Sequence, residues 1–189
     1  MPPASASLRS VFVALAALLL TVTPAPAQQP KLEMHRVGVS SDDGSGWHLA
    51  TSSKGSFSIN LPIPFNDFTT HAASGEASHV IGGKSAEGIK YSATELPITA
   101  KTPSDLQAIA KSFGATAGNK VSDLSQTKKD ATETLSFTVS NAASIAHFRY
   151  VKTQTALFML TLECPKAYAE IASATKDKFF ASLKIKGRS

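Results

Sequence analysis

Cysteine is almost missing from this chain. Its 189 residues include one, Cys164, so no internal disulfide can form and burial alone must hold the fold. Long apolar runs are scarce as well. The longest, Val11 to Leu20, follows Arg9 and gives way to Pro24 and Pro26, short of the roughly 20 residues that cross a bilayer. With Ala25-Pro26-Ala27 behind it, the pattern reads as a secretory signal peptide over residues 1–27, cut after Ala27. No cysteine follows that run, which excludes a lipoprotein anchor. The expected location is therefore secreted, in the periplasm, with no transmembrane anchor left after cleavage.

Nucleotide loops and paired metal ligands are lacking too. Gly82-Gly83 and Gly44-x-Gly46 read as turn glycines without a strand-to-helix phosphate context. None of the five histidines, His35, His48, His71, His79 and His147, forms an i, i+4 helical pair or a zinc-like spacing. His48 and His79 fall in strand candidates that could converge, but no metal ligand set is assigned. Asp42-Asp43-Gly44-Ser45-Gly46 looks like part of a calcium loop but lacks the spaced oxygen ligands and terminal Glu. It reads as a solvated turn. No cofactor is expected.

No set of nucleophile, base and orienter can be assembled, so no catalytic residue is expected and the protein reads as a non-enzyme. Cys164, before Pro165 and near a helix start, could be a lowered-pKa nucleophile with His147 as its partner. The preferred reading is a small buried hydrophobe. The formal charge is +5, spread along the chain, which argues for no more than loose contact with anionic envelope surfaces. The aromatic residues fall in strand and helix patterns, so nucleic acid is not an expected partner.

What the chain has is alternation. Residues 28–45 are polar and read as a flexible leader, and residues 46–186 as one domain. Trp47, Leu49 and Thr51 alternate, Lys54-Gly55 turns, and Phe57, Ile59 and Leu61 alternate before Pro62, which predicts a hairpin. Phe65 to Ser74 is either a strand or an excursion. Strands are expected at His79–Lys84 and around Ile89, Tyr91 and Ala93. Thr102 then suits a helix cap with Pro103 behind it, Leu106, Ile109, Ala110 and Phe113 line one face, and Gly114 suits the stop. Lys120–Gln126 reads as an edge strand, and Glu133–Ser140 and Ala143–Lys152 as further strands. Thr155–Cys164 is apolar on both faces, so it should be central. Tyr168, Ile171, Ala172, Thr175, Phe179 and Leu183 share the face of a closing helix. Together these predict an α+β fold, an antiparallel β-sheet with helices packed on it.

The order of these features is similar to that of the PsbP-like family of small α/β/α sandwich proteins. The motifs are the Trp47 strand, Phe57-x-Ile59-x-Leu61-Pro62, the capped middle helix and the closing Phe179-Phe180-Ala-Ser182-Leu183-Lys-Ile185, within residues 46–186. The resemblance implies an antiparallel sheet between helical layers. It also implies an accessory or binding role in the bacterial envelope, exerted on a protein or envelope partner. Photosystem members handle manganese, calcium and chloride; no matching ligands stand here, and no site residue is carried over. The alternative is a small-ligand or metal carrier. For that reading the candidate pocket residues are His147, Arg149 and His48. His147 and Arg149 share a strand face, which marks either a pocket for an anion or, as preferred, an exposed sheet edge.

Overall fold

Alternation of apolar and polar residues decides most of the architecture. The computed structural model describes residues 31–40, 44–100 and 102–186; the signal peptide reading lies outside them. Six strands come first: β1 (Lys31–Val39), β2 (His48–Thr51), β3 (Phe57–Leu61), β4 (Phe65–His71), β5 (Ala77–Lys84) and β6 (Lys90–Pro97). Helix α1 (Gln107–Gly114) precedes β7 (Lys120–Lys129), β8 (Thr132–Ser140), β9 (Ser144–Lys152) and β10 (Ala156–Pro165). Helix α2 (Ala169–Ala181) and the short β11 (Lys184–Ile185) close the chain. Eight strands form one antiparallel sheet in the order β1-β4-β5-β6-β10-β9-β8-β7, and β11-β3-β2 form a second.

Strand β10 occupies the middle of the larger sheet, as its two-sided apolar sequence predicts. Phe158, Leu160 and Leu162 face an inner core, and Leu157 faces an outer one. The inner core is roofed by Ala50, Phe57, Ile59 and Leu61 of the small sheet and by Ala172, Phe179 and Phe180 of α2. The Lys178 ammonium, 4.3 Å above the Trp47 ring, ties α2 to that roof. The outer core is a row of aromatic rings beneath α1: Phe113 is 4.8 Å from Phe148, which is 5.1 Å from Phe137. Each such ring contributes about 1.5–3 kcal/mol on burial.

Helix α1 packs on the β7 and β8 end of the sheet, with its Phe113 ring against Phe148 of β9. On the same side of the sheet, β1, β4 and β5 carry no covering element among the described residues. The register sets Met34 opposite Phe68 and Phe68 opposite Val80, so these side chains share that open face with Leu32. Leu32 and Met34 are 56% and 43% exposed.

Several expectations need correction. The fold is mostly antiparallel β, 53% strand against 16% helical, and not an α+β fold of helices on a sheet. The reason is local: much of the roof is a second sheet, and segments read as non-strand pair with neighbours. Residues 31–39 of the expected leader form β1, held to β4 from Lys31–His71 to Val39–Phe65. Phe65–His71 is a full strand. The first helix begins four residues later than the Thr102-Pro103 signal implies, because Thr102 Oγ1 accepts the Thr99 N–H and Asp105 Oδ1 accepts that of Gln107. In β2 the buried residues are His48 and Ala50, and Leu49 points out. Tyr168, in the turn just before α2, and Ile171 within it are left exposed, since the helix rotates to bury the consecutive rings of Phe179 and Phe180.

Candidate functional site

Strand β9 places His147 and Arg149 two residues apart on the inner side of the sheet, beyond the apolar core and beside α2. The ring Nδ1 of His147 pairs with the Thr138 hydroxyl at 2.9 Å. Arg149 Nε donates to Ser136 Oγ at 3.2 Å, and its guanidinium carbon lies 4.9 Å from the centre of the Phe180 ring. Burial and then the Lys176 ammonium push the His147 imidazole below its ordinary value, against the opposing pull of Asp123 and Asp177. The ring is therefore neutral at neutral pH. Burial also lowers the Arg149 guanidinium, opposed by Asp177, yet it stays charged. Asp123 stands at a bulge in β7 with φ 52°, a left-handed conformation that a non-glycine residue holds at a cost.

His48 does not join this pair. It lies in β2 of the small sheet, 7% exposed, with Nδ1 buried and unpartnered. No hydrogen bond or ion pair among the described residues links it to His147 or Arg149. Cys164 lies in the inner core, 1% exposed. Burial first, then the Glu163 charge, raises its thiol above the ordinary range. His147 is bonded to Thr138 instead.

Sequence reasoning missed a polar knot at the other end of the same face. Asp67 is fully buried. Its Oδ2 accepts hydrogen bonds from Arg36 Nη2 (2.7 Å), Arg36 Nε (3.0 Å), Ser53 N (2.9 Å) and Ser53 Oγ (2.5 Å). Arg36 also donates to the Thr51 carbonyl. Burial on its own would raise the Asp67 carboxyl, but the Ser53 and Arg36 bonds outweigh it and hold it below the usual range. The knot joins β1, β4 and the turn after β2. Beside it, Thr69 Oγ1 bridges His35 Nε2 at 2.8 Å and His79 Nδ1 at 3.0 Å. Among the described residues, no group of three or more His, Cys, Asp and Glu side chains is arranged to hold a metal ion. The available signal was Phe65-x-Asp67-x-Thr69, an inward alternation with a carboxylate where an apolar residue belongs.

No family model matches the chain, and no curated protein matches it.

Proposed function

We propose that this is a secreted, periplasmic binding protein without catalytic activity, which acts by taking an extended segment of a partner protein onto β1. The observation that carries the reading is the uncovered half-face of the larger sheet, which ends in β1. Nothing among the described residues pairs with the outer edge of that strand. Leu32 and Met34 stand exposed on it, continuous with Phe68 and Val80. A strand added there gains main-chain hydrogen bonds from the edge and side-chain contacts from the apolar row. The irregular register after Met34 confines regular pairing to the first residues of β1, which keeps the edge from joining copies indiscriminately.

The test is a pull-down from envelope extract using the mature chain and its Leu32→Asp/Met34→Asp variant. A protein retained by the native chain and lost from the variant supports the reading. Identical captures by the two baits overturn it. Secretion is checked by sequencing the mature N-terminus, expected at Gln28; an intact Met1 in the membrane fraction contradicts it.

A further inference from the structure

Besides Arg149, the other arginine described in full within the sheet, Arg36, is matched by the buried carboxylate of Asp67. Arg149 has no such partner. It is half-buried, its Nε is committed to Ser136, and no carboxylate stands within ion-pair distance of it among the described residues. Lys176 of α2 is also half-buried, and it makes neither a hydrogen bond nor an ion pair there. Both cations flank His147, whose imidazole feels the Lys176 charge. Two partly desolvated cations without a carboxylate at ion-pair distance are costly to maintain. The planar fork of an arginine is matched by two oxygens of a carboxylate or phosphate.

We infer that the strip between β9 and α2 binds an oxyanion, gripped by the free terminal nitrogens of Arg149 with Lys176 at its flank. Ser136 and Thr138 hold the Arg149 and His147 side chains in place from β8. Asp177 of α2 and Asp123 of β7 also face the strip. With His147 neutral, these two acids balance the two cations. Protonation of His147 then adds the charge that favours the anion. The site lies on the opposite side of the sheet from the open face of β1, so either proposal can fail alone.

The experiment follows the Arg149 Nε–H resonance of the mature chain by NMR. The titrants are inorganic phosphate and, separately, phosphatidylglycerol vesicles, with phosphatidylcholine vesicles as the control. A saturable shift with phosphate identifies a free oxyanion ligand; a shift with the anionic vesicles alone identifies a lipid headgroup. Binding by Arg149→Gln, read from the remaining backbone amides, should weaken about 10-fold or more, the loss of a charged bidentate contact. Lys176→Gln, on the helix surface, should weaken it about 3-fold and serves if the Arg149 variant does not fold. With sulfate, whose charge is constant, the native chain should bind more tightly as the pH falls below the ordinary histidine range, and His147→Gln should lose that dependence. No saturable shift with any of these anions, or binding untouched by both charge-removing substitutions, overturns the inference.

Discussion

At the scale of single residues, Asp67 is where the fold is most sensitive. Its carboxylate gathers charge-assisted bonds that join β1, β4 and the turn after β2. Removing Arg36 leaves a buried carboxylate without its cation, and removing Asp67 leaves a partly buried guanidinium without its match. Arg36→Gln and Asp67→Ala should therefore each cost about 3 kcal/mol in urea unfolding, with the double variant costing much less than their sum. The sign of the pH effect follows from the lowered carboxyl. The stabilisation is complete above the ordinary Asp value near 4 and is lost as pH falls through the lower folded value. Acid titration of stability should thus show a limb below about pH 4 that Asp67→Asn flattens. Cys164 gives a second check. A buried thiol raised above the ordinary range should react with a maleimide only as fast as the chain unfolds; fast labelling under native conditions would contradict its place in the inner core. Cys164 was legible in the sequence as a small buried hydrophobe. Asp67 was not, because one carboxylate on an inward face signals a knot only once its partners, distant in sequence, are known.

At the scale of elements, strands with strict alternation were readable and the polar ones were not. β8, β9 and β10 stand where their patterns predict, since each has a large apolar residue at every second position. β1 escaped notice because Lys31, Glu33, His35 and Arg36 give it the composition of a leader, and its strand state depends on pairing with β4. Propensity yields to tertiary contact there. Helix α2 follows its period of 3.6: Ala172 and Phe179 are buried and Leu183 packs against the core, but Tyr168 and Ile171 at the start of the expected face stay exposed while Phe180 is buried beside Phe179. Between elements, Gly83 sets how closely β5 approaches the turn after β3. A Cβ there would lie 2.4 Å from the Pro64 carbonyl oxygen, and backbone cannot yield as a side-chain tip can. Gly83→Ala should destabilise by about 1–3 kcal/mol in thermal melts; an unchanged melting temperature would contradict that packing.

At the scale of the whole molecule, the count of strands decided the fold class. The expected α+β arrangement assumed that helices would supply the layers over the sheet. Here a three-stranded sheet shares the inner roof with α2, and α1 covers only part of the outer face, so half of one face is left open. No sequence pattern announces an uncovered face, because Phe68 and Val80 read as core residues whether or not anything lies above them. The candidate site was legible in part: His147 and Arg149 share a face as their spacing requires, whereas His48 belongs to the other sheet and Lys176 joins the strip only through the docking of α2.

The central claim, that a partner's extended segment pairs with β1, is tested most directly by a photo-crosslinking residue placed at Leu32 in cells. Leu49, equally exposed on the small sheet, serves as the control position. The account predicts one discrete adduct from position 32, mapped by mass spectrometry to a single short segment of one envelope protein, and none from position 49. No adduct at position 32, or the same adducts from both positions, would contradict it.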